Sequence, residues 1–136
     1  MHIIPFLTFQ PSRGQRAAEA MAFYTELLGG EVLSQTLWGA DGPGGAKAEG
    51  TVMTAEFTAA GQRMRCSDSP VHHEWTFSPA QSLWLECADA EEVQQRLEAL
   101  GRDGQVFMPY DDYGFGPFGW VADRFGVSWQ VGVAQD

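Results

Sequence analysis

The pattern of apolar and polar residues predicts a strand, a helix and three further strands in the first half of the chain. Residues 3–9 are predicted to form a strand, and apolar residues at helical spacing predict a helix that begins near Ser12, with Gln15 completing a capping box. Gly29 and Gly30 are expected to end this helix. Three further strands are predicted at residues 31–38, 51–58 and 63–67, and a glycine-rich loop at residues 39–50 separates the first two of them.

The second half of the chain repeats this order of elements. Residues 82–87 are predicted to form a strand, Asp89 and Glu92 match the capping box of a second helix, and Gly101 lies just past its expected end. The strands that follow are predicted at residues 105–110, 119–123 and 127–133. The repeat predicts two copies of one strand-helix-three-strand module, at about residues 1–71 and 80–136, joined by a connector at 72–79.

A repeated module of this kind constrains the fold. A four-stranded sheet with one helix covers only one of its faces, so the other face must be covered or must line a cavity. We therefore expect an α+β fold, a single domain in which two paired βαβββ modules form an open, curved, mixed sheet with the helices outside. Alternate side chains of its strands would line a concave cleft, which is where small-molecule sites commonly lie.

Composition narrows the set of partners. The chain has 136 residues, 44% of them hydrophobic, and a formal net charge of −10 with Lys47 as its only lysine. So acidic a chain is expected to repel nucleic acid and anionic membranes, and no apolar run approaches the ~20 residues of a membrane-spanning helix. Cys66 and Cys87 form no CxxC pair and favour buried free thiols in a cytoplasmic protein.

Four segments carry a resemblance to a known family. "PFLTF", "AMAFYTELLGGEVL", "MTAEFTAAGQRMRCSDS" and "DDYGFGPFGWVADRFGVSWQV" resemble the PhnB-like branch of the vicinal oxygen chelate superfamily, which includes glyoxalase I, extradiol dioxygenases and bleomycin-resistance proteins. The resemblance runs from about Ile3 to Val131 and implies the glyoxalase/bleomycin resistance fold and a homodimer. Members of this branch are often described as 3-demethylubiquinone 3-methyltransferase-like. The chain has no G-x-G-x-x-G turn between a strand and a helix, so S-adenosylmethionine is not an expected cofactor.

The resemblance also implies where a ligand would bind, because relatives place functional side chains on the first and last strands of each module. Carried over to this chain, these positions hold Thr8 and Arg65 in the first module and Trp84, Glu86 and Gln130 in the second. Few of these groups are ligands that a hard divalent ion prefers, so we expect a site without a metal.

Two of these residues have alternative interpretations. Arg65 suits a carboxylate or phosphate ligand, but it would equally form a salt bridge to Glu86 or Glu56. Gln130 suits a ligand carbonyl or hydroxyl, but it would equally be a core amide satisfied by neighbouring hydroxyls.

Residues 110–120 combine aromatic rings with glycines. This composition predicts a mobile aromatic lid over the cleft, with Tyr113 and Phe115 in contact with the ligand. The alternative is a long loop that packs its rings on the sheet edge or on a partner subunit.

The sequence therefore predicts a homodimeric protein that binds a small molecule without a metal ion, and it identifies no catalytic residue. One alternative is a resistance protein that sequesters an antibiotic or toxin, for which an acidic cleft would favour a cationic guest. The other is a divalent-metal lyase or dioxygenase-type enzyme that uses Glu86, Gln130 and a further ligand such as His72 or His73.

Overall fold

The computed structural model describes residues 1–135, which form two compact units, one spanning Met1–Trp75 and the other beginning at Thr76. The boundary lies within the predicted connector. In each unit the described residues form a four-stranded mixed sheet and a helix of 12 residues. Within residues 1–135, every helix is too short or too polar to span a bilayer.

The first unit contains four strands and two helices. Its sheet has the order β1-β4-β3-β2, in which β1 runs parallel to β4 and the other neighbours are antiparallel. The short helix lies in the segment that the sequence predicted as a loop. The elements are β1 (Phe6–Phe9), α1 (Ala17–Leu28), β2 (Val32–Leu37), α2 (Gly45–Ala48), β3 (Val52–Ala59) and β4 (Gln62–Asp68).

The second unit repeats this topology with one helix. Its sheet order, β5-β8-β7-β6, again pairs the first strand with the last in parallel. The α+β fold class and the duplicated strand-helix-three-strand module are therefore confirmed. The elements are β5 (Leu83–Cys87), α3 (Ala90–Gly101), β6 (Gln105–Asp112), β7 (Pro117–Ala122) and β8 (Ser128–Val133).

Each long helix packs an apolar stripe on one face of its own sheet. In α1 the buried residues include Met21 and Tyr24, and the Tyr24 ring stacks on Phe57 of β3 with 6.3 Å between ring centroids. In α3 the stripe includes Val93 and Leu97, both buried. Burial of each large side chain stabilises the fold by about 1.5–3 kcal/mol.

Gly30 and Gly104 occupy equivalent places in the repeat, just before β2 and just before β6. A Cβ atom on Gly30 would lie 1.9 Å from the carbonyl oxygen of Thr58, and one on Gly104 would lie 2.0 Å from that of Ala122. Both contacts are with backbone that cannot move without breaking the sheet. This close approach explains why the two glycines coincide when "LLGGEVL" is aligned with "GRDGQVF".

The two long helices begin in different ways. The capping box predicted at Ser12 and Gln15 is wrong, because α1 begins at Ala17 and neither side chain caps it. Instead Asp68, at the end of β4, accepts hydrogen bonds from the Ala17 amide through Oδ1 and from the Val52 amide through Oδ2, both at 2.8 Å. Helix α3 has its cap close in sequence.

In α3 the predicted cap is present. Asp89 accepts a hydrogen bond from the Glu92 amide at 2.9 Å, as the capping box requires. The Glu92 carboxylate reaches back to the Ala88 amide at 3.3 Å rather than to that of Asp89.

A second buried carboxylate lies just after β7. Asp123 is 2% exposed, and its Oδ1 accepts hydrogen bonds from the amides of Phe125 and Val127 at 2.9 and 3.1 Å. Its Oδ2 accepts one from the Trp129 indole at 2.9 Å. Asp123 therefore fixes the turn that joins β7 to β8.

Candidate functional site

Four aromatic rings form a surface on the sheet of the second unit. Phe118 is buried, and around it lie Trp84, Tyr113 and Phe115, with centroid distances to the Phe118 ring of 5.9, 5.9 and 5.2 Å. The three outer rings are 50%, 38% and 56% exposed. We call these four residues the aromatic surface. The three outer rings are accessible to a ligand because they are partly exposed, and each of them packs on the Phe118 ring.

The aromatic surface lies on the sheet face that α3 leaves uncovered. A Cβ on Gly119 would lie 2.3 Å from Leu97 of α3, so Gly119 is on the helix-covered face. Because successive residues of a strand point to opposite faces, Phe118 and Trp120 are on the open face. In the segment "GPFGWVA", Phe118 and Trp120 are two positions apart with Gly119 between them. This spacing, which places both rings on one face of a strand, is the sequence signal that could have identified Phe118.

Tyr113 and Phe115 lie in the short hairpin turn between β6 and β7, so the long loop considered from the sequence is not formed in the described residues. Pairing of β6 with β7 continues to Asp112 and Pro117, with register shifts along the ladder. Asp112 Oδ1 accepts hydrogen bonds from the amides of Gly114 and Gly116 at 2.8 and 3.1 Å, which lower the pKa of this carboxyl. The Tyr113 hydroxyl donates to a backbone carbonyl at 2.6 Å. These bonds hold the turn in place.

A polar network adjoins the aromatic surface. Gln130 lies directly opposite Trp84 on β5, and its amide nitrogen donates a long hydrogen bond of 3.4 Å to Ser82 Oγ. Ser82 Oγ lies 2.6 Å from Ser128 Oγ, which also accepts from the Trp120 indole at 2.8 Å. The amide nitrogen of Gln130 thus has a hydroxyl partner. Its carbonyl oxygen has no hydrogen-bond partner within residues 1–135 and remains available to a ligand.

Glu86 follows Trp84 by two residues on β5 and lies on the same face. It is opposite Gly132 in the register and is exposed. The Trp84 ring extends over Gly132, where a Cβ would lie 3.0 Å from the indole. Trp84, Glu86 and Gln130 are therefore neighbours on one surface, with the carboxylate at its margin.

Thr8 and Arg65 lie on the sheet of the first unit. The register pairs Phe6 with Arg65, so Thr8 and Arg65 are on one face. Arg65 Nη2 donates to Thr54 Oγ1 at 3.0 Å. The salt bridge considered between Arg65 and Glu56 is not formed, because Arg63 binds Glu56 with an Nε to Oε1 distance of 2.7 Å.

The donor set does not fit the divalent ion that the superfamily resemblance implies as an alternative. Within the described residues, no group of three or more His, Cys, Asp and Glu side chains is placed to hold a metal ion. His72 and His73 are instead bonded to serine hydroxyls, at 2.7 Å to Ser12 and 2.8 Å to Ser69.

The two cysteines are buried and unpaired. Burial, reinforced by the charge of Asp68, raises the pKa of the Cys66 thiol to about 12. Burial, with a smaller effect of Glu92, raises the pKa of Cys87 to about 11. Neither thiol is ionised near neutral pH, so neither is a candidate nucleophile.

Comparison with known proteins places these features in a family context. The family model described as 3-demethylubiquinone-9 3-methyltransferase matches residues 1–132. A solved structure of a PhnB protein from Bacillus cereus is 42% identical, with a TM-score of 0.88, over 98% of this chain and 100% of that chain. Protein YjdN of Escherichia coli is 25% identical over 150 residues, covering 99% of this chain and 97% of that protein.

A more distant structure shares the fold alone. It is a glyoxalase-related enzyme from Fulvimarina pelagi, 17% identical with a TM-score of 0.62, and the match covers 98% of this chain and 89% of that chain.

Proposed function

Because the chain belongs to the 3-demethylubiquinone-9 3-methyltransferase family, the PhnB-like branch of the vicinal oxygen chelate superfamily, we propose that it binds a compact, partly apolar small molecule without a metal ion. The observation that carries the proposal is the aromatic surface beside the Gln130 network. Trp84, Tyr113 and Phe115 would stack on the apolar part of the ligand. Gln130 would bind its polar end.

The chemistry of this surface supports the proposal. Aromatic side chains beside a few polar groups are typical of small-molecule sites, since the rings provide contact area and the polar groups provide orientation. The outer rings pack on Phe118 and the turn is held by hydrogen bonds, so these side chains would lose little conformational entropy when a ligand binds. Preorganisation of this kind raises affinity.

The charges of Glu86 and Arg65 indicate which ligand charge each surface would accept. Glu86 at the margin of the aromatic surface disfavours an anion there, so the polar end near Gln130 is expected to be neutral or cationic. Arg65 has no carboxylate partner among residues 1–135. We propose that Arg65, which shares a sheet face with Thr8, binds a separate anionic small molecule on the first unit.

The proposal does not include the methyl transfer named in the family description. Nucleotide-bearing cofactors are usually seated by a glycine-rich turn between a strand and a helix. In this chain β1 leads into a 3-10 turn, Pro11–Arg13, and then into α1.

Replacing Trp84 with alanine should weaken ligand binding by about tenfold, since it removes a stacking surface and its buried area. The probes are phenylacetate and benzylamine, which share a ring and differ in the sign of their charge. In the wild-type protein they should shift the amide signals of residues 84, 113, 115 and 130 in nuclear magnetic resonance titrations.

Trp75→Ala is the matched control, since it removes an equally exposed tryptophan that stacks on His73 instead. Equal affinity for Trp84→Ala and the wild type, or shifts confined to other residues, would remove the aromatic surface from the site. Because Glu86 lies at the margin of the aromatic surface, benzylamine should bind more tightly than phenylacetate, and the reverse order would contradict this placement of Glu86.

We further propose that the chain is a homodimer in the cytoplasm. The edge strands β2 and β6 expose apolar side chains that an isolated chain would leave in water, among them Leu33, Leu37 and Val106. The two buried free thiols suit a reducing compartment.

Light scattering during size-exclusion chromatography should give twice the 14.9 kDa chain mass. The variant Leu33→Glu should shift the mass toward the monomer if β2 is at the interface, whereas Glu31→Gln, an exposed change beside the strand, should leave it unchanged. A monomer at micromolar concentration would refute the dimer.

A further inference from the structure

A cavity of about 380 Å³ lies within the first unit and shares no residue with the aromatic surface. Its walls come from the turn after β1, the start of α1, the short helix α2 and the segment that follows β4. This volume lies within the range of small-molecule sites, roughly 300–1,000 Å³.

The charged side chains that line the cavity are cationic. They include Arg16 and Lys47, and none of the lining residues in the described part of the chain is acidic. Lys47 is the only lysine in a chain of net charge −10, so the charged side chains of this cavity are opposite in sign to the net charge of the protein. Neither cation forms an ion pair within residues 1–135, although the charge of Arg16 partly opposes the burial that raises the pKa of Asp68.

Hydrogen-bonding groups add to this charge. His72 lines the cavity, and its Nδ1 is held by Ser12 Oγ at 2.7 Å, which leaves Nε2 as the free nitrogen of the ring. The Thr51 hydroxyl donates to the Ala48 carbonyl at 2.6 Å and is already satisfied. The groups left for a ligand are therefore the guanidinium, the ammonium and the imidazole.

The walls of the cavity are fixed by packing. A Cβ on Gly44 would lie 2.4 Å from the Cβ of Ala48 and 2.8 Å from that of Pro70, so α2 packs closely against the segment after β4. Asp68 binds the amide of Ala17, the residue next to Arg16, and its carbonyl accepts from the Trp38 indole at 2.9 Å. These contacts hold the backbone on both sides of the cavity, which reduces the entropy lost on binding.

We propose that this cavity binds a small organic phosphate monoester, with Arg16, Lys47 and His72 around the phosphate group. Two cations without bound carboxylates suit a dianion better than a monoanion, since each negative charge then has an opposite charge close by. Arginine binds phosphate through two parallel hydrogen bonds, and lysine adds a point charge. The remaining volume accepts a small organic group.

The test uses the full chain and inorganic phosphate as the probe, with acetate as the monoanionic comparison at matched ionic strength. Calorimetry should show that phosphate binds more tightly than acetate, and the amide signals of residues 44–51, 69, 71 and 72 should shift. Lys47→Met and Arg16→Met should each weaken phosphate binding by about tenfold, the loss expected for a hydrogen bond between charged groups.

Arg102→Met is the matched control, because Arg102 is an exposed cation of the second unit. Lys47 is exposed, so its removal should leave the thermal unfolding midpoint unchanged and separates binding from folding. Equal, weak binding of phosphate and acetate that Lys47→Met does not alter would mean adventitious anion binding only and would overturn the proposal. A loss of binding in Arg102→Met as large as in Lys47→Met would overturn it too.

Discussion

Replacing Asp123 with alanine should lower the free energy of unfolding by about 3–5 kcal/mol. The substitution would leave three buried donors without an acceptor, the amides of Phe125 and Val127 and the indole of Trp129. An unpaired buried donor costs about 1–3 kcal/mol. Urea unfolding followed by circular dichroism measures the loss.

Asp111→Ala is the control for this prediction, since Asp111 is an exposed aspartate of the same unit. Its effect should stay within about 0.5 kcal/mol, as is usual for surface positions. If Asp123→Ala destabilises the protein no more than this control, the hydrogen bonds to Asp123 do not hold the turn between β7 and β8.

Replacing Asp68 with asparagine should destabilise the protein by about 2–4 kcal/mol although the side chain keeps its shape. Each carboxylate oxygen accepts one backbone hydrogen bond, from Ala17 and from Val52. An amide has a single oxygen acceptor, so its NH₂ group would face one of the two backbone donors. The exposed Asp41, changed to asparagine, is the matched control and should have little effect.

The difference in the free energy of unfolding between the wild type and Asp68→Asn should depend on pH. Burial raises the pKa of Asp68 above 3.8 in the folded state, an effect that the hydrogen bonds from Val52 and Ala17 and the charge of Arg16 only partly oppose. The folded state therefore holds this proton more tightly than the unfolded chain does. The contribution of Asp68 to the free energy of unfolding is fully present below 3.8 and falls as pH rises through its folded-state pKa.

Asparagine does not titrate, so the stability difference between the wild type and Asp68→Asn should decrease from acid to neutral pH. Unfolding curves at several pH values would show it. A difference that grows with pH would mean that hydrogen bonding outweighs burial at this carboxyl.

The sequence predicted the elements whose signals are local. The cap of α3 at Asp89 and the apolar spacing of α1 are set by residues close in sequence, and the structure has them. The start of α1 was misplaced because its capping group comes from Asp68, on another strand. Helix α2 was missed because four residues in a glycine-rich segment give too short a periodic signal.

The candidate site was predictable to a similar extent. The positions carried over from the family put Trp84 and Glu86 on β5 and Gln130 on β8, and the register of these two strands places the three residues on one face. The extent of the hairpin was not predictable, since β6 continues through Asp112 by means of register shifts that no sequence period encodes. The cavity beside Lys47 depends on how distant segments pack and had no motif.

The hydrogen bond between Asp68 and the start of α1 joins residues that are far apart in sequence, which affects the order in which the chain folds. Helix α3 can form its first turn early, because Asp89 and Glu92 are three positions apart. Helix α1 gains its capping carboxylate, 51 positions away, only when β4 has paired in the sheet. Two halves with one architecture would then fold by different routes, the second nucleating locally and the first only after a long-range closure.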